Sequence, residues 1–196
     1  PSMNANAPFP MTRWTRVLAA RGESVEAKTA LSELCAAYYE LGQKIPEAAI
    51  PEIDAAMKKV EAEFGKKFGD TNDPLLVSVR SGAALSMPGM MNTILNLGLN
   101  DEIAAGLAEK TGNPRFAYDS YRRFIQMFAN VVMGVDGETF EHELNEYKRE
   151  RGKTLDVDMT AEDWQEIVRI YKTLVEFPED PFVQLRKAVE AVFLSW

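Results

Sequence analysis

Apolar residues recur along most of this chain at the three- and four-residue spacing of amphipathic helices. Residues 1–12 are rich in Pro, Asn and Ala and show no such period. Gly22-Glu23-Ser24 then offers a turn and an N-cap, and Ala27, Leu31, Leu34, Cys35, Tyr38 and Leu41 follow on one face until Gly42 closes the run. A second helix is predicted after Pro51 on the face Ile53, Met57, Val60 and Phe64, with Gly65 as its stop. Leu75–Val79 is a strand signal, short and β-rich between Asn72-Asp73-Pro74 and Ser81-Gly82. From Arg80 to Gly98 the pattern breaks. Gly82, Pro88, Gly89 and Gly98 interrupt it, and Met87, Met90 and Met91 follow no period. The stretch reads as a long ordered loop with one helical turn at Thr93–Leu97, and long ordered loops are disproportionately functional.

Beyond residue 100 the reading is helical. Phe116, Tyr121, Phe124, Ile125, Phe128 and Val132 mark one face of a long helix after Pro114. Phe140, Leu144 and Tyr147 mark a more solvated helix ending at Gly152. Thr160 and Asp163 have the spacing of a capping box ahead of Trp164, Ile167, Val168, Tyr171 and Leu174. Asp180-Pro181 is an N-cap with proline at the first helical position, opening a helix with Phe182, Leu185, Val189, Val192, Phe193 and Trp196. These aromatic stripes read as core. The expected fold is mainly α: a helical subdomain over 101–196, a small partial α/β piece over 43–100 with one or a few short strands, and a separate N-terminal segment over 1–42. The last helix stays apolar to Trp196, where a natural domain end usually turns polar or frays, which points to truncation.

Composition narrows the classes. Apolar residues are 46% of the 196, enough for a core. With 22 basic against 30 acidic side chains the formal charge is -8, which disfavours a nucleic-acid binder but leaves room for a local basic pocket. The single cysteine, Cys35, excludes an internal disulfide and reads as core filler. No apolar run approaches the roughly 18 residues of a membrane span, and the first ten residues lack a signal-peptide layout. A cytoplasmic protein is expected.

Candidate chemistry concentrates in Ser78-Val79-Arg80-Ser81-Gly82 and Ser86-Met87-Pro88-Gly89-Met90-Met91. A strand there delivers an arginine and hydroxyls into a glycine-containing loop. Such loops let backbone N–H groups approach phosphate oxygens, and arginine adds a planar fork of donors. A structural turn with a surface arginine fits the spacing equally well. Arg115 and Arg122 share one helix face, while Arg123 lies toward the Phe116 side. A salt bridge to Asp119 or another carboxylate is the simpler account of this cluster; an anionic ligand is the functional one. His142, between two glutamates on a polar helix, reads as a surface residue. Asp156, Asp158, Glu162 and Asp163 suit a turn followed by a helix N-terminus better than a cation site.

Phe64–Asp70, Pro74–Ala83, Ser86–Met91, Leu95–Asn100 and Asn113–Phe124, continuing through Thr160–Asp163 to Ala191–Trp196, resemble pyruvate phosphate dikinase over roughly residues 38–196. The resemblance implies a phosphotransferase that interconverts ATP, phosphate and pyruvate with AMP, pyrophosphate and phosphoenolpyruvate. It implies an ATP-grasp-like N-terminal domain with an inserted helical subdomain, and separate phosphohistidine and pyruvate-binding domains. Carried over by motif position, Arg80 is the nucleotide-site arginine after the strand. Ser86, Gly89 and Met91 lie in the loop over the nucleotide, and Arg123 is a second site arginine. Leu85 and Asn92 depart from the commoner family residues. The family's Gly-Gly-Lys-Gly loop has no counterpart before residue 42, and its acidic Mg2+ ligands have none in this sequence. His142 lacks the phosphohistidine context, so no residue receives a catalytic or metal-binding role. Residues 8–39, through Phe9–Gly22 and Leu31–Tyr39, resemble the start of extracytoplasmic-function sigma factors, without their promoter-reading helices.

Three readings follow: a fragment of the dikinase's ATP-binding domain, inactive alone and binding ATP weakly at most; a non-catalytic helical interaction module derived from it; and a sigma-factor-related regulator, which the acidic charge opposes. The expected partners are a nucleotide and the remaining dikinase domains or another protein, with no nucleic acid and no membrane.

Overall fold

A computed structural model describes residues 50–80 and 93–194. The helix expected over 27–41, Cys35 and the sigma-like stretch lie outside the described residues. Within them the fold is mainly α, with six α-helices and one two-stranded antiparallel sheet. The order is α1 (Ile50–Phe64), β1 (Val77–Val79), β2 (Ile94–Leu97), α2 (Asp101–Thr111), α3 (Pro114–Met133), α4 (Gly137–Glu150), a 3-10 turn (Asp156–Asp158), α5 (Ala161–Leu174) and α6 (Pro181–Leu194).

The helix ends follow local chemistry. Asn113 Oδ1 accepts from Phe116 N at 3.1 Å with Pro114 in the first turn, so α3 starts where its proline has no donor to lose. Thr160 and Asp163 close the expected capping box: Thr160 Oγ1 accepts from Asp163 N at 3.3 Å, and Asp163 Oδ2 from Thr160 N at 2.7 Å. Asp180 Oδ1 caps α6 by accepting from Phe182 N at 2.7 Å and Val183 N at 3.1 Å.

Helix α3 is the central element. It buries Tyr121, Phe124, Ile125 and Phe128 and packs against α2, α4, α5, α6 and β2. Phe124 and Phe128 meet Phe177 edge-on at 5.5 and 5.6 Å between centroids. One apolar cluster runs without a break from Met57 in α1, through Leu97 and Leu99, to Val192 in α6.

Four expectations change. Phe116, placed on the buried face of α3, is 51% exposed. The first turn buries the next residue, Ala117, instead, which is 0% exposed. Phe64 is likewise exposed at the end of α1, although Met57 is buried and Ile53 and Val60 are half-buried as expected. The strand expected over 75–79 is shorter: Leu75 N instead donates to Lys67 O at 3.0 Å, and pairing starts at Val77. The helical turn expected at Thr93–Leu97 is strand β2. Ile94 and Leu97 are both fully buried at a three-residue spacing that imitates a helix. An irregularity in the register lets a strand do this. Val77 pairs with Leu97 and Val79 with Ile94, so β2 carries an extra residue, absorbed at Asn96 in the left-handed region (φ 59°).

Candidate functional site

The hairpin carries the first candidate. Strand alternation turns Ser78 to solvent and Val77 and Val79 toward the core, and Arg80 emerges exposed at the end of β1. Arg80 has no ion-pair partner among the described residues. Ser86, Gly89 and Met91 belong to 81–92, the segment joining the strands, which lies outside the described residues.

The return of the chain from the hairpin is tightly built. Gly98 has φ +106°, and a Cβ on it would lie 2.9 Å from Phe68 Cε2. Leu99 is fully buried, and Asn100 caps α2 by accepting from Ile103 N at 2.8 Å while donating from Nδ2 to Glu179 O at 3.0 Å. Lys172 adds a charged tie, bonding Asp101 Oδ2 at 2.7 Å and also Glu179. Gln184 of α6, 0% exposed, bonds to the main chain of this turn.

The arginine cluster on α3 forms a second site around Asp156. Arg122 is 4% exposed. Its Nε donates to Asp119 Oδ1 at 2.9 Å and its Nη2 to Asp156 Oδ2 at 3.0 Å, with the guanidinium 4.6 Å above the Trp164 ring. Lys148 Nζ reaches Asp156 Oδ1 at 2.5 Å. Arg123, with 59% of its side chain exposed, shares the two carboxylates at 3.1 Å (Asp119) and 3.5 Å (Asp156). Arg115 donates to the backbone carbonyls of Met159 and Asp156 at 2.8 and 2.6 Å. The pairing with Asp119 is therefore present for both Arg122 and Arg123.

Burial alone would raise the Asp156 carboxyl. The Lys148 hydrogen bond and the charges of Arg122, Lys148 and Arg123 outweigh it and hold the group below the usual carboxylate range. Burial also opposes ionisation of Asp163, but bonds from Lys153 and from the Thr160 N–H and hydroxyl bring its pKa down to about 2. Among the described residues no group of three or more His, Cys, Asp or Glu is placed to hold a metal ion. His142 is exposed beside Glu146.

Arg80 follows β1 and Arg123 lies on α3, where it pairs with Asp119 and Asp156; among the described residues the two arginines share no carboxylate. Lys148 and Gln184 did not stand out in the sequence, and Asp156 read as part of a turn ahead of a helix N-terminus rather than as the partner of these arginines. The spacing of Arg115 and Arg122 was a usable signal, since both converge on the 156–159 segment.

The family model for the pyruvate phosphate dikinase AMP/ATP-binding domain matches residues 17–196. The chain belongs to this nucleotide-binding domain family. Among curated relatives it is 53% identical over 175 residues to pyruvate, phosphate dikinase of Clostridium symbiosum, covering 86% of this chain and 20% of that protein. It is 51% identical over 174 residues to the chloroplastic pyruvate, phosphate dikinase of Flaveria pringlei (86% and 18%), and 49% identical over 164 residues to pyruvate, phosphate dikinase of Giardia intestinalis (81% and 19%). The chain thus spans about a fifth of the length of these relatives. The family match begins at residue 17 rather than near 38, and so takes in most of the sigma-like stretch. No helix among the described residues is long and apolar enough to cross a membrane.

Proposed function

We propose that this chain supplies the nucleotide-facing part of a pyruvate phosphate dikinase, with Arg80 and the Ser86, Gly89 and Met91 segment meeting ATP phosphates. Arg123 is the second anion contact. The observation that carries this reading is Arg80 itself: an exposed guanidinium at a strand end, without a carboxylate among the described residues, in a family named for AMP/ATP binding. Arg123 is bound to carboxylates but largely exposed, and exposed ion pairs are worth only about 0–1 kcal/mol, so an incoming phosphate can compete for it. In this reading residues 43–100 are a partial ATP-grasp-like piece and 101–196 a helical subdomain.

The 196-residue chain is expected to bind ATP weakly, on the order of mM. A charge-assisted contact is worth roughly 1.5–3 kcal/mol, so Arg80→Ala should weaken binding about tenfold or more with helical content unchanged. ATP titration followed by amide NMR shifts measures this. Equal shifts in both proteins, or shifts confined to residues 140–175, would overturn the reading.

Full turnover needs more than this chain. Phosphoryl transfer depends on positioning and charge neutralisation around the transferred group, and the chain spans a fifth of its relatives' length. The purified 196-residue protein should therefore form no AMP or phosphoenolpyruvate from ATP, phosphate and pyruvate in a coupled assay. Detectable turnover would refute this.

One observation favours the interaction-module alternative. Phe116, Leu155 and Val157 are all exposed, and Arg115 ties their segments together through the Asp156 and Met159 carbonyls. Its signature would be NMR shifts in these residues on adding a protein partner, with none at Arg80 on adding ATP.

A further inference from the structure

Gln184 is a fully buried polar side chain on a helix whose other buried residues are apolar. Its Oε1 accepts from Gly98 N at 3.0 Å. Its Nε2 donates to Leu99 O at 2.9 Å and Pro178 O at 2.8 Å. Both ends of the amide are thus used on main chain: two bonds to the residues directly after β2, and one to the linker that precedes α6. An apolar residue here would leave a buried N–H and two carbonyls without these partners.

The hairpin needs such a hold. Its strands are three and four residues long and joined through a register irregularity. Two-stranded sheets of this kind are marginal alone and take their orientation from what they pack on. Two helices support them: α6 touches both strands, and α3 lies against β2. Beside the Gln184 bonds, Phe68 meets Phe182 of α6 edge-on at 5.3 Å, and Phe68 also closes over Gly98.

We propose that Gln184 is a positioning residue for nucleotide binding: it fixes the exit of the β1–β2 hairpin to α6 and so sets where Arg80 presents its guanidinium. The inference rests on the nucleotide reading of Arg80 and adds a coupling to it. Whatever shifts α6 shifts the phosphate contact, and a nucleotide held by Arg80 tightens the hairpin on α6.

The test compares the 196-residue wild type, Gln184→Met, and an α5 core control, Ile167→Val or Ile167→Ala, whichever matches the melting temperature of Gln184→Met. ATP affinity and hydrogen exchange of the Val77 and Val79 amides are read in each. Gln184→Met should weaken ATP binding at least about fivefold, the low end for coupled sites, and speed exchange at both valines. The control should bind like wild type. If Gln184→Met does not fold, Gln184→Glu, which keeps the acceptor to Gly98, replaces it with the same expected direction. ATP affinity within about twofold of wild type in a folded Gln184 variant, or an equal loss in the control, would overturn the coupling. A wild type that shows no ATP shifts would overturn the nucleotide reading instead. The clasp is then decided by exchange alone, and equal protection of Val77 and Val79 in wild type and variant rejects it.

Discussion

Gly106→Ala is expected to destabilise the protein by about 3 kcal/mol or more, against the sign that helix propensity gives. Gly106 lies inside α2, where alanine is favoured over glycine by about 1 kcal/mol. A Cβ at this position would sit 1.8 Å from the Thr71 carbonyl oxygen and 2.9 Å from its carbon. The obstacle is backbone, so no rotamer change relieves it. The Thr71 turn is itself pinned: Asp70 Oδ1 accepts from Asn72 N and Asp73 N at 2.7 and 3.1 Å, and Asp73 pairs with Lys66 at 2.9 Å and with Lys110 of α2. Alanine must therefore drive residues 70–74 off the helix, breaking the Lys110 pair and loosening Phe68 and Leu75 from the core. Denaturant titration measures the loss. A variant as stable as wild type, or more so, would show that the 70–74 turn does not rest on α2.

Arg122→Met is expected to cost about 2–3 kcal/mol, while the adjacent Arg123→Ala costs about 0–1 kcal/mol. Arg122 is buried, holds two carboxylates and covers the Trp164 ring. Breaking a buried pair usually costs more. Here Asp119 keeps Arg123, and Asp156 keeps Lys148 and Arg123, so neither carboxylate is left bare. Asp156 also gives the effect a pH signature. Its pKa is depressed in the folded state, so its contribution is complete above the unfolded carboxylate value of 3.8 and is lost as pH falls through the lower folded value. The gap between wild type and Arg122→Met should accordingly be full at neutral pH and narrow in acid below that value. Urea titrations at several pH values test it. An Arg123→Ala loss as large as that of Arg122→Met would contradict the division of roles, because only one of the two arginines is buried.

Helices α1 and α3–α6 were legible in the chain because each carries its own period and its own end signals. Asn113-Pro114, Thr160 with Asp163, and Asp180-Pro181 cap helices through atoms within three residues of each other, so local chemistry was sufficient. Arg80 was legible as a candidate for a similar reason: a strand followed by glycines and hydroxyls is a local pattern. The family could be read from long irregular motifs, and the matched domain agrees with that reading.

Other features depend on residues far apart in sequence. Ile94 and Leu97 read as a helical turn because their spacing fits one; pairing with Val77 and Val79 and the left-handed Asn96 make them a bulged strand instead. Phe116 lies on the apolar stripe of α3, but a stripe gives only a direction, and in the first turn it is Ala117 that is buried while Phe116 stays exposed. Gln184 bonds to Gly98 and Leu99 from more than eighty positions away, and Gly106 is required by Thr71 from another segment. Local sequence determined which segments are helical and where they start, because those interactions close within a turn or two. The tertiary structure alone decided which polar groups are buried, which glycine cannot change and how the hairpin is held, because burial and contact are properties of the assembled chain.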